Sequence, residues 1–170
     1  ALTARGGELF ASQCAGCHGS DGERTGQAIP VAEVGTDPEH VLTFQAGDAR
    51  RMNRVTATLG MGNAELQGAQ GYVARPLVGI WLFAPYLHNG SVPTLHDLLA
   101  PPAQRPSVFY RGYDVLDTAK VGFVASGDAA QANGFRFDTR LRGNANGGHR
   151  YGTELAAPDK QALLEFLKTL

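Results

Sequence analysis

A chain of 170 residues is most simply one domain, long enough to bury a core, and its 43% apolar content excludes disorder. The 15 basic and 16 acidic side chains nearly cancel, which argues against a nucleic-acid-binding surface or a polybasic membrane patch. No apolar run reaches transmembrane length, and 22 Gly with 9 Pro predict a loop-rich chain of modest helix content.

The first 18 residues read as an amphipathic helix with Leu9 and Phe10 on its apolar face. Gly6 and Gly7 leave room for another helix to approach closely. This helix runs into Cys14-Ala15-Gly16-Cys17-His18, the C-x-x-C-H spacing of covalent haem c attachment. Two thiols three positions apart can each add to a haem vinyl group, and the adjacent imidazole can then supply an axial ligand to the iron. A zinc site would need two further soft ligands, and the chain has no third Cys. A thioredoxin-like C-x-x-C would need an alternating strand-helix pattern around it, which is missing. One such motif predicts one haem per chain, with Cys14 and Cys17 as attachment points and His18 on the metal.

Covalent haem attachment in bacteria follows export, so a periplasmic or otherwise exported location is expected. The chain opens Ala-Leu-Thr without Met, which reads as a mature protein or an excised domain.

Farther along, Thr36 or Asp37 can cap a short helix through Pro38, Glu39, Val41, Leu42 and Phe44. A second helix is predicted over Ala49 to Leu59, stopped by Gly60. Leu77 to Leu87, with Trp81, Phe83 and Tyr86, is bulky and apolar and is expected against the core or the haem edge. The turn His88-Asn89-Gly90 and a short helix within Ser91 to Leu99 follow. Pro101 to Pro106 reads as an extended connector. The runs Val108 to Tyr110, Val121 to Val124 and Phe135 to Phe137 predict a small sheet or hairpin. Gly143 to Gly148 is a loop by composition.

Pro158 and Asp159 suit a helix start, and Leu163, Phe166, Leu167 and Leu170 then fall at i, i+3, i+4 and i+7. A first helix carrying Gly6 and Phe10 ahead of the haem motif, with a last helix carrying Phe166, resembles class I cytochromes c, in which these two helices cross. The fold expected is therefore mainly α, a class I cytochrome c-like fold with long loop insertions and a small β element.

The second axial ligand decides the chemistry, because a closed six-coordinate iron moves electrons whereas an open position binds oxygen or peroxide. The candidates are His40, His88, His96, His149, Met52 and Met61. His149 follows the Gly/Asn loop and precedes the terminal helix, where class I cytochromes c place their distal ligand. Met61, in Gly60-Met61-Gly62, is the fallback. Met52 reads as helix packing, and His40 and His96 read as surface residues. His88 could donate to a haem propionate, fix its turn, or act near the iron. Arg75 and the Arg50-Arg51 pair are candidate propionate partners. Trp81 is a candidate for lining the haem or for core packing.

The stretches Arg75-Pro76-Leu77-Val78-Gly79-Ile80-Trp81 and Ala84-Pro85-Tyr86-Leu87-His88-Asn89-Gly90-Ser91-Val92-Pro93-Thr94-Leu95 resemble a segment of bacterial cytochromes related to dihaem cytochrome c peroxidases and the haem-containing rubber oxygenase. Val34-Gly35-Thr36-Asp37-Pro38, Arg105-Pro106 and Gly148-His149 fit the same group. The likeness is to the C-terminal haem domain, which implies His149 as second axial ligand. Those proteins carry two haems, and this chain has one motif. Residues 1–170 are thus one monohaem domain, either free-standing or the C-terminal part of a longer dihaem protein. A redox partner protein or a second haem domain is the implied partner.

The leading expectation is electron transfer by a bis-His haem c. A peroxidase or oxygenase whose sixth iron position is open or opens on reduction is the alternative, and a structural or sensory haem domain ranks last.

Overall fold

The computed structural model describes residues 1–62 and 65–170. Its frame is the crossing of the first and last helices, α1 (Leu2–Gln13) and α8 (Ala157–Leu167). A Cβ on Gly6 would stand 2.1 Å from the Ala162 carbonyl oxygen and 2.6 Å from Phe166 Cβ, so glycine sets the distance between the helices. Phe10 and Phe166 pack beside this contact with ring centroids 5.3 Å apart. Arg5 grips Asp159 through two hydrogen bonds of 2.9 and 3.1 Å on the exposed rim. Solvent screens such an exposed pair, so the crossing depends on packing instead.

The predicted stripe of α8 is found, with Leu163 and Leu167 buried, and Ala162 and Leu164 are buried beside it. Leu9, Tyr86, Val92, Leu95, Leu99 and Val121 complete the core around these residues. Pro158 and Asp159 occupy the first turn of α8, where a missing N–H costs nothing and a carboxylate meets the positive helix end.

The first helix is not continuous to residue 18. Cys14 departs from helical geometry at φ −125°, and helix resumes as α2 (Ala15–His18). The break falls where Cys14 packs against the core.

Among the described residues the inserted middle holds five further elements before the apolar segment. Strands β1 (Ala28–Pro30) and β2 (Gly71–Val73) pair antiparallel, with α3 (Val31–Val34), α4 (Glu39–Leu42) and α5 (Ala46–Thr58) between them. The backbone N–H of Glu39 donates to the Asp37 carboxylate one residue ahead of the N-cap position of α4, which Pro38 occupies without a side-chain cap. Helix α5 starts three residues ahead of its predicted position because Gln45 and Asp48 form a reciprocal capping box.

Leu77 to Leu87 lies partly against the core, as expected, and partly at the surface. Leu77, Ile80, Ala84 and Leu87 pack on the core and Tyr86 is buried. Val78 is 75% exposed, Phe83 69% and Trp81 37%. Gly79 in the left-handed region and a single 3-10 turn over Ile80–Leu82 roll the chain, so its bulky residues divide between core and surface. Trp81 stands in a surface cleft with Leu116, Val121 and Lys168.

Thr94 caps α6 (Leu95–Leu98), the short helix expected within Ser91 to Leu99, by accepting from the Asp97 N–H. Pro102–Gln104 form a 3-10 turn in place of an extended connector. Two separate antiparallel pairs replace the single small sheet. Strand β3 (Val108–Arg111) pairs with β6 (Phe135–Asp138), and β4 (Leu116–Asp117) pairs with β5 (Gly122–Phe123). A short α7 (Asp128–Asn133) precedes β6. Among the described residues no helix is long and apolar enough to cross a membrane.

Candidate functional site

The C-x-x-C-H motif occupies the turn at Cys14 and all of α2. Its two thiols are free of any disulfide. Burial, and then the neighbouring Cys17, push the half-buried Cys14 thiol, which packs against the core, up to about 11. The following loop clasps the motif. Thr25 Oγ1 donates to the carbonyls of Cys17 at 3.1 Å and Gly19 at 2.7 Å, and the Arg24 N–H donates to Gly16.

His18 Nδ1 lies 2.7 Å from the carbonyl oxygen of Arg75. A carbonyl only accepts, so Nδ1 carries the proton and Nε2 keeps its lone pair for a metal. This is the outer hydrogen bond that orients a metal-bound histidine. Arg75 was expected to serve through its side chain, yet its backbone makes this contact. Pro76 cannot follow a helical residue comfortably, which holds Arg75 in extended chain with its carbonyl available.

The second histidine of the site is His149. Its ring centroid lies 6.0 Å from that of His18, with the ring planes 48° apart. Two imidazoles on opposite sides of one metal ion, each bonded at about 2.0–2.1 Å, have centroids roughly 6 Å apart. The His149 Nδ1 is buried with no hydrogen-bond partner. Burial first, then the proximity of His18 and Arg105, push His149 down to about 4, so the ring is neutral at pH 7. Tyr151 meets it edge-on at 5.2 Å.

The loop that carries His149 is tied down from several sides. The His149 N–H donates to Val34 at 2.7 Å, and Gly148 lies against the backbone of Gly35. Asp37 accepts from the N–H of Ala145 at 3.0 Å. Asn89 Nδ2 donates to the carbonyls of Gly143 and Ala145, both at 3.0 Å, and Ser91 Oγ donates to Ala145 at 3.1 Å. These contacts explain what the His88-Asn89-Gly90-Ser91 turn does: it anchors the loop that carries His149. Buried Arg105 completes the anchorage with hydrogen bonds to Asn146, Gly148 and His149.

His88 does not join the His18–His149 pair. Its ring stacks on Tyr72 at 3.7 Å and lies 6.0 Å from that of His40, and its buried Nε2 lacks a partner. Met61 is 71% exposed, and Met52 and His96 are also exposed. Arg51 pairs with Asp48, while the side chains of Arg50 and Arg75 are exposed. Sequence reasoning missed the roles of Arg105, Asp37 and the Arg75 carbonyl. For the first, the available signals were a lone cation inside the Pro101 to Pro106 stretch and the place of Arg105-Pro106 in the family resemblance.

The residues present fit a covalently held haem on observations of this structure. Two free thiols stand at attachment spacing, one imidazole has its tautomer set by a carbonyl, and a second imidazole, its buried Nδ1 without a partner, has its centroid 6.0 Å away, a separation compatible with one metal ion between them.

Comparison with known proteins agrees. Residues 3–72 match the cytochrome c family, and residues 71–110 match the RoxA-like, cytochrome c-like family. The uncharacterized protein y4iM of Sinorhizobium fredii (strain NBRC 101917 / NGR234) is 34% identical over 88% of the chain, and y4iJ of the same strain is 41% identical over 62%. The chain spans 41% of the length of the first and 19% of the second. Cytochrome c domains bind covalently attached haem c and serve electron transfer. By motif, fold and family match, the chain is a c-type cytochrome domain, and it resembles the C-terminal haem domain of RoxA-like cytochromes.

Proposed function

We propose that this domain passes single electrons through one haem c, held by thioethers from Cys14 and Cys17 and ligated by His18 and His149. The haem supplies a one-electron couple that needs no proton. The chain's own residues do the rest. The Arg75 carbonyl keeps His18 in the tautomer whose Nε2 is free to ligate. The loop anchored on Arg105, Asp37 and Asn89 keeps His149 in place in both oxidation states, which limits reorganisation. Two imidazole ligands set a lower potential than an imidazole and a thioether.

The observation that carries this reading is the 6.0 Å separation of two imidazoles, one of them with a buried, unpartnered nitrogen. The unpartnered Nε2 of His88 supports a further role for that side chain, donation to a haem propionate. Export to the periplasm, residence within a longer chain, and exchange of electrons with a second haem domain or a redox partner protein belong to the same proposal. The relatives' greater lengths support the second of these.

Optical and low-temperature EPR spectra of the ferric holoprotein test it. Low-spin signals that become high-spin in His149→Ala are expected. High-spin signals in the unmutated protein would sink the assignment and bring forward an open-site peroxidase or oxygenase.

A further inference from the structure

Arg105 is 5% exposed and forms no ion pair among the described residues. A guanidinium has five N–H donors, and here all five meet main-chain carbonyls. Nε donates to Ala100 at 3.2 Å, Nη1 to Asn146 at 2.6 Å and Gly148 at 2.9 Å, and Nη2 to Leu98 at 3.0 Å and His149 at 3.2 Å. Two of these acceptors lie on the chain around the end of α6, and three lie in the loop carrying His149. Burial disfavours the charge, but arginine does not deprotonate in proteins, so the site holds a positive charge directly bonded only to carbonyl oxygens. The charged groups acting on it are Arg150, of like sign, and Asp97, of opposite sign.

We infer that Arg105 is the positioning residue of the distal loop and that its buried charge raises the reduction potential of the haem site above the value two imidazoles alone would set. The inference rests on His149 as axial ligand. On reduction the site gains one electron and no proton, becoming more negative by one charge. A fixed cation at the backbone of one ligand, in surroundings of low dielectric that salt does not screen, favours that state. A lysine would supply the charge without the fork that joins five carbonyls.

The test is a mediated potentiometric titration of the holoprotein and of its Arg105→Lys and Arg105→Gln variants, each first characterised by EPR. Both variants lose the fork, and only the second loses the charge. Arg105→Gln is expected to reduce the equilibrium constant for reduction at least tenfold against a fixed reference couple, about 59 mV, and Arg105→Lys by much less. An unchanged potential in Arg105→Gln, or an equal fall in both variants, overturns the electrostatic role. Should Arg105→Gln turn high-spin or shed haem, positioning is supported and Asp97→Asn carries the charge test. That variant leaves the fork whole and removes the opposing charge, so its potential must rise, and no change overturns the inference. High-spin signals in the unmutated protein would instead overturn the reading of His149, a separate failure with its own signature.

Discussion

Gly148 lies so close to Gly35 that a Cβ on residue 148 would stand 2.2 Å from the Gly35 carbonyl carbon and 2.4 Å from the Thr36 nitrogen. Gly148 is also in the left-handed region, at φ 76°. The next residue is His149, whose N–H reaches Val34 on the other side of this contact. A side chain at 148 therefore pushes the distal loop off the segment that supports it. Gly148→Ala is expected to destabilise the protein by about 2 kcal/mol or more. If His149 ligates as proposed, its ferric EPR spectrum should show a high-spin fraction, and a spectrum like that of the parent would refute the link between this contact and the position of His149.

Asp37 joins two loops through one carboxylate. Its oxygens accept the N–H groups of Glu39 at 2.9 Å and Ala145 at 3.0 Å, and its side chain is buried. Removing it leaves two donors without partners at a site water does not reach freely. Asp37→Ala should cost about 2 kcal/mol in urea unfolding, with Asp37→Asn recovering part of the loss. Equal stability of all three proteins would show that water replaces these bonds.

The crossing of α1 and α8 is set by Gly6, where no side chain fits. Gly6→Val must force the helices apart or bend one of them, since the obstructing atom is the backbone oxygen of Ala162. A loss of about 3 kcal/mol is expected, read from the urea midpoint. Gly16, whose Cβ would meet nothing, is the control, and Gly16→Ala should have little effect beyond local helix propensity.

Asp138 is the natural place to look for acid sensitivity. The Arg140 guanidinium, the Arg140 backbone N–H and the Arg136 guanidinium hold its carboxyl well below the usual carboxylate range. The unfolded chain takes up this proton near pH 3.9, whereas the folded chain resists it to lower pH. The stabilisation is therefore present in full above the unfolded value and fades as pH falls below it. Unfolding midpoints of the parent should decline more steeply below about pH 4 than those of Asp138→Asn. Parallel profiles would refute the assignment.

Local chemistry explains what was legible in the sequence. Covalent attachment demands two thiols and an imidazole at one spacing, so Cys14, Cys17 and His18 announce the cofactor without any fold around them. The apolar stripe of α8 and the glycines of α1 follow from helical periodicity, which is a property of neighbouring residues. Helix α5 was placed late because its start lies in a reciprocal cap between Gln45 and Asp48 rather than in its apolar pattern. Leu77 to Leu87 is expected against the core or the haem edge, and composition does not record the turn at Gly79 that divides it between core and surface.

The motif and the two crossing helices, then, were determined by the sequence alone, through bonds and periodicities that act over a few residues. Tertiary structure decided which residue faces His18. That choice depends on contacts between segments far apart in the chain: Arg75 lending a carbonyl, Gly35 admitting Gly148, Asp37 and Asn89 holding the loop, and Arg105 gathering five carbonyls around one charge. Backbone carbonyls have no letter of their own in a sequence, and a fork of donors reveals its acceptors only when the chain has folded around it.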